Sequence, residues 1–199
     1  MEISKLNSQK ITNSLLFCQK VGDIIKRGGI IIFPTDTVYG LLADATNKKS
    51  VKKIFKIKKR MPQNYLPIFI DGIEMVRKIA KISKNQAEFL RKVWPGRVTV
   101  VLKRKRGIKL YGINRETIAL RIPKFQPLNY LLKTLGSPLT ATSANISGKL
   151  ASGNIKKVLE QFIKQKEKPD FVVDAGNLPK RKTSIVIDLT KKPPKILRV

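Results

Sequence analysis

The chain contains no histidine and only one cysteine, Cys18. Without histidine there is no Ser–His or Cys–His nucleophile pair, no usual zinc site and no imidazole general base. A single cysteine excludes a disulfide framework and a cysteine-built metal cluster. No apolar run reaches the roughly 18–20 residues that span a bilayer, and residues 1–10 are polar, with no signal-peptide core. These absences predict a soluble, cytoplasmic protein. Its chemistry must run on Lys, Arg, Ser, Thr, Asn and backbone groups, or on a metal that arrives with a substrate. Acidic residues are also scarce, 13 against 42 basic ones, leaving a net charge of +29. Such a field favours polyanions such as nucleotides or RNA. A solvated lysine-rich surface accounts for it equally well, because no arginine–aromatic nucleic-acid motif accompanies the excess.

What is present suits a folded globule: 199 residues, 42% of them hydrophobic, enough for one domain with a core. Ile11, Leu15, Cys18, Val21 and Ile25 recur at helical spacing and predict a helix over 11–27, closed by Gly28-Gly29. Ile30–Phe33 reads as a buried strand ended by Pro34, with a second strand over 38–43. Further helices are predicted over 50–59, from the Ser83/Gln86 capping box to 93, over 128–135 up to Gly136, and over 155–164. Strands are predicted at 66–70, 98–103, 117–122, 139–141, 171–174, 185–189 and 195–198, with a basic loop over 104–115. Helices and strands interleave, so the class is α/β, with a mixed sheet in a single domain over 1–199.

Three segments carry side chains suited to chemistry. Pro34-Thr35-Asp36-Thr37-Val38-Tyr39-Gly40 follows a buried strand, where α/β sheets hold ligands; ordinary turns have similar composition. Lys56-Ile57-Lys58-Lys59-Arg60-Met61-Pro62, with Asn64 beyond, can neutralise phosphates, although a helix end also favours such cations. Thr140-Ala141-Thr142-Ser143-Ala144-Asn145-Ile146-Ser147-Gly148 offers hydroxyl, amide and backbone donors with little bulk, as an ordinary Ser/Asn turn also does.

Taken in order with Trp94-Pro95-Gly96, Val98-Thr99, Leu120-Arg121-Ile122-Pro123 and Ser184 before Val186-Ile187-Asp188, these segments form a series. The series resembles the YrdC-like threonylcarbamoyl-AMP synthase family, in its short single-domain form, from about Gly29 to Arg198. That resemblance implies a twisted mixed sheet with flanking helices around a large basic cavity. It implies threonine held by Thr35, Tyr39, Arg121 and Ser184, with Arg121 on the carboxylate and Tyr39 a wall. It implies ATP held by Lys58, Arg60, Asn64, Thr117, Ser143, Asn145 and Arg198, of which Lys58, Arg60, Ser143 and Asn145 are the catalytic group. Mg2+ would be carried mainly by the ATP phosphates, with no metal site of the protein's own. Threonine, bicarbonate or CO2 and ATP would give threonylcarbamoyl-AMP and pyrophosphate for modification of tRNA adenosine 37. Downstream transferase proteins, and tRNA itself, are the implied partners. The chain departs from the family pattern at Ile185, where a threonine is common, at Phe69, which is histidine in some long members, and at Met61, which displaces proline to Pro62. A second reading is an RNA- or ribosome-binding protein that uses the basic cavity without catalysis, supported by the cationic runs at 103–106 and 180–182. The discriminator is whether Lys58, Arg60, Ser143 and Asn145 converge beside Thr35 and Ser184.

Overall fold

The computed structural model describes residues 1–5 and 15–198; Ile11 and the start of the first predicted helix lie outside them. Two sheets, rather than the single sheet expected, form the frame. In the first, β1 (Glu2–Lys5), β10 (Phe171–Asp174) and β2 (Ile31–Phe33) run parallel, and β3 (Gly40–Leu42) and β9 (Thr142–Ser143) continue it antiparallel. In the second, the order is β12 (Lys195–Arg198), β11 (Ile185–Asp188), β6 (Val98–Arg104), β7 (Thr117–Arg121), β4 (Ile68–Phe69) and β8 (Leu139–Thr140). Strand β5 (Ala80–Lys81) pairs with β6 beside that path.

The chain passes between the sheets at Ala141, where β8 ends and β9 begins. The buried Thr140 secures this crossing: its hydroxyl accepts from Ala43 N at 3.0 Å and donates to Leu41 O at 3.3 Å. One expected strand at 139–141 is therefore two short strands in different sheets, which brings Ser143 opposite the second sheet.

Helices fill the spaces around the sheets. Helix α1 (Leu15–Lys26) and α5 (Gln126–Leu135) bury Val21, Ile25, Leu128, Leu131 and Leu132 against Ile31, Phe33, Leu42 and Phe69. Helix α2 (Lys48–Lys58) starts two residues before the expected position, because the Asn47 side chain caps it by accepting from Lys49 N and Ser50 N. The Ser83/Gln86 capping box is present and opens α4 (Lys84–Val93). Helix α6 is shorter than expected, ending at Glu160. The structure adds α3 (Ile73–Ile79), too short to show a helical period in sequence, and β1, whose sequence EISK is mostly exposed and carries no alternation. No helix among the described residues is long and apolar enough to cross a membrane.

Candidate active site

An open cavity, about 710 Å³ counting the part that is open solvent, lies between the two sheets. The turn from β2 into β3 supplies Thr35, Thr37, Tyr39 and Gly40, and β9 supplies Thr142 and Ser143. From the other sheet come Phe69, Thr99, Arg121, Ser184 and Arg198, and Arg60 enters from just beyond α2. Of the sequence-predicted residues, Thr35, Tyr39, Arg60, Arg121, Ser143, Ser184 and Arg198 thus meet on one cavity.

Gly40 leaves room for the Thr35 side chain to pack over the start of β3. A Cβ placed there would sit 3.2 Å from Thr35 Cγ2 and 3.3 Å from Leu42 Cδ2. Gly40→Ala is expected to displace Thr35 and to lower stability by about 1–3 kcal/mol, as overpacking does; urea unfolding of the variant checks it.

Arg121 is held on two sides. Its Nε donates to the Gly96 carbonyl at 2.9 Å, and Nη2 lies 2.7 Å from both carboxylate oxygens of Asp36. Both side chains are almost wholly buried, and the Phe69 ring lies 5.9 Å from the guanidinium carbon. Nη1 has no hydrogen-bond partner among the described residues, so it is the nitrogen left for a ligand in the cavity that Arg121 lines. Burial lowers the Arg121 pKa; Asp36 opposes that shift, whereas the charges of Arg198 and Arg97 add to it. Two elements here have no sequence-assigned role. Asp36 sits inside the first segment as one polar turn residue among several, and Trp94-Pro95-Gly96 matters through a carbonyl, which any residue type carries.

Lys58 does not line the cavity; it sits behind it, 1% exposed. Its Nζ donates to Ser143 O at 2.6 Å, Asn145 O at 2.8 Å and Asn145 Oδ1 at 3.1 Å, using all three ammonium protons. Asn145 is also committed: its Oδ1 accepts from Ser143 Oγ at 2.6 Å, and its Nδ2 donates to Ile146 O and Lys149 O. Lys58 and Asn145 therefore hold the turn that presents Ser143, and Ser143 is the member that reaches the cavity.

Burial, helped by the charge of Arg60, pushes the Lys58 pKa down to about 7. The folded value lies below the unfolded one of 10.5, so between them the unfolded chain binds more protons and stability rises with pH. Wild-type protein is expected to gain stability relative to Lys58→Met from pH 7 to 10, by at most about 1.4 kcal/mol per unit. Paired denaturant titrations across that range check the slope, and the opposite sign contradicts it.

Arg60 is pinned through Nε to Asn64 O at 2.7 Å and through Nη2 to Tyr65 O at 3.1 Å, leaving Nη1 for the cavity. Asn64 contributes that carbonyl, while its side chain is exposed and off the cavity wall. Thr117 stands at the other end of β7 from Arg121, about 13 Å along the strand, and does not line the cavity. The Tyr39 hydroxyl donates to Gly176 O at 2.8 Å and accepts from Ala175 N at 2.9 Å, and burial raises its pKa to about 12. Its ring is a wall whose polar end faces away to the chain after β10. Arg198 donates through Nε and Nη2 to Ser184 O and through Nη2 to Ser184 Oγ, and Ser184 Oγ lies 2.9 Å from the buried Thr99 hydroxyl. Thr99, flagged in sequence only as part of a pair with Val98, belongs to the lining.

The family model described as Sua5/YciO/YrdC, telomere recombination, matches residues 23–199. The chain belongs to the Sua5/YciO/YrdC family. A member named threonylcarbamoyl-AMP synthase, from Pyrococcus abyssi, is 37% identical over 176 residues, covering 87% of this chain and 51% of its own length. The chain thus spans about half of that relative. A protein named putative threonylcarbamoyl-AMP synthase from Methanocaldococcus jannaschii is 33% identical over 189 residues, covering 95% of this chain and 86% of the relative. Among solved Sua5/YciO/YrdC structures, P. abyssi Sua5 complexed with L-threonine superposes with a TM-score of 0.84 at 31% identity, covering 99% of this chain and 56% of that one.

Proposed function

We propose that the protein is a threonylcarbamoyl-AMP synthase, a nucleotidyltransferase that joins L-threonine, bicarbonate or CO2, and ATP. The observation that carries this reading is the placement of Arg121 Nη1 and the Thr35 turn in one cavity with Arg60, Ser143, Ser184 and Arg198. A carboxylate fits the donor left on Arg121, and the remaining arginines suit phosphate oxygens. Names of related proteins and the threonine complex of a related structure support the same substrate.

In this reaction the threonine amine adds to CO2, giving a carbamate. A carbamate oxygen then attacks the α-phosphorus of ATP as the bond to pyrophosphate breaks. From bicarbonate, the balance is threonylcarbamoyl-AMP, pyrophosphate and water. The nucleophile comes from the substrate, so no protein serine, cysteine or histidine is required. The protein's part is to hold the reactants in line, worth about 7–11 kcal/mol at best, and to meet the charge on the departing phosphates with Arg60. Among the described residues no carboxylate lines the cavity, and hydroxyl and guanidinium groups alone make a poor Mg2+ site. Mg2+ therefore enters as part of the ATP substrate. The product serves tRNA adenosine 37 through downstream transferase proteins in the cytoplasm.

Pure nucleic-acid binding needs neither a carboxylate seat nor its buried Asp36 support, and the 103–106 run lies outside the cavity lining. Pyrophosphate release is the test. Release that requires both threonine and bicarbonate supports the synthase, whereas RNA binding with no release under any condition would return the assignment to the binding module.

A further inference from the structure

We propose that Asp36 is the specificity-determining residue of the threonine seat, orienting Arg121 and offsetting its charge so that the seat takes an amino-acid carboxylate and turns phosphate away. This rests on the synthase reading. Among the described residues three arginines line the cavity, Arg60, Arg121 and Arg198, and no carboxylate does. Their supports differ. Arg60 is held by the neutral carbonyls of Asn64 and Tyr65, and Arg198 by the neutral carbonyl and hydroxyl of Ser184. Of the three, Arg121 alone has a carboxylate partner among the described residues, at 2.7 Å to each oxygen. One Asp36 oxygen also accepts from the Lys124 backbone N–H at 3.0 Å, which fixes the carboxylate independently of Arg121.

The consequence is a charge gradient across one cavity. At the Arg60 and Arg198 positions the arginine charge is uncompensated, which favours polyphosphate. At Arg121 the pair is neutral overall, and zwitterionic threonine is neutral too. Fixing Nε on Gly96 and Nη2 on Asp36 also leaves a single nitrogen, in a set plane, to receive the carboxylate. Without Asp36, Arg121 would be an unbalanced cation close to Arg198 and Arg97, and a site for any anion. Asp36 is not among the residues lining the cavity; it acts through Arg121 as a positioning residue.

The test measures threonine binding, pyrophosphate competition and thermal melting in wild type, Asp36→Asn and Asp36→Glu. In wild type, pyrophosphate should displace ATP and leave threonine bound. In Asp36→Asn, threonine affinity should fall at least tenfold and pyrophosphate should now compete with threonine. Asp36→Glu keeps the charge but shifts the guanidinium, so threonine should weaken while pyrophosphate stays excluded. Threonine affinity within twofold of wild type in Asp36→Asn overturns the proposal, as does weakened threonine binding with no new competition, the signature of a merely structural lesion. If Asp36→Asn does not fold, Asp36→Glu decides: near-wild-type threonine binding or new pyrophosphate competition overturns the proposal. A wild-type protein that binds no threonine would instead count against the synthase reading itself.

Discussion

Arg121→Met should lose threonine binding by about 10- to 150-fold, because a charge-assisted hydrogen bond contributes roughly 1.5–3 kcal/mol. It should also be the least stable of the site variants. The Asp36 side chain is 4% exposed and would keep only the Lys124 N–H as a partner. Leaving one member of a buried ion pair alone costs about 3–5 kcal/mol, a fall of roughly 6–20 °C in Tm for a chain of this size. The two effects separate in the double variant Asp36→Asn with Arg121→Met. Most of the stability should return, since no unpaired charge remains, while threonine binding stays lost. Calorimetric titration and thermal melts on the three proteins measure both. Stability that stays low in the double variant contradicts the ion-pair account.

Lys58→Met should lower kcat/KM for ATP by about 100-fold or more, through loss of the Ser143 turn rather than of a phosphate contact. Asn145 O loses its one donor among the described residues, while Ser143 O keeps the Asn145 N–H and Asn145 Oδ1 keeps the Ser143 hydroxyl. An unsatisfied buried acceptor costs about 1–3 kcal/mol, partly offset by removal of a charge that burial already disfavours. The net effect on stability should therefore be smaller than the effect on activity. Lys58→Arg should not rescue, because a planar five-donor guanidinium cannot replace a compact ammonium among three converging oxygens. Steady-state kinetics with ATP varied at saturating threonine test this. A variant that binds ATP weakly but keeps hydrogen-exchange protection at Ala144 and Asn145 would place Lys58 on the phosphate instead.

These two sites show what the residues disclosed and what they withheld. Local signals were readable where a side chain acts on its own backbone: the Ser83/Gln86 box, Gly136 after α5, and the apolar strand before Pro34. Seven of the residues expected from the ordered series of motifs line one cavity. The division of labour among them was not readable. Whether Lys58 faces a ligand or the Ser143–Asn145 turn depends on a contact across more than 80 residues. The role of Asp36 depends on Arg121, 85 positions away, and that of Gly96 on a backbone atom common to every residue. The two-sheet frame was hidden for a related reason. The switch at Ala141 separates strands of two residues each, below the length at which alternation can be recognised.

As a synthase, the protein would join threonine, a one-carbon acid and an adenylate in one cavity. The most direct measurement incubates the protein with 13C-bicarbonate, L-threonine and Mg-ATP and follows the products by mass spectrometry and phosphorus NMR. The proposed synthase should give one adduct containing threonine, the labelled carbon and AMP, formed in equal amount with pyrophosphate. Pyrophosphate and AMP released without label in any adduct, or no turnover with all three substrates present, would contradict it.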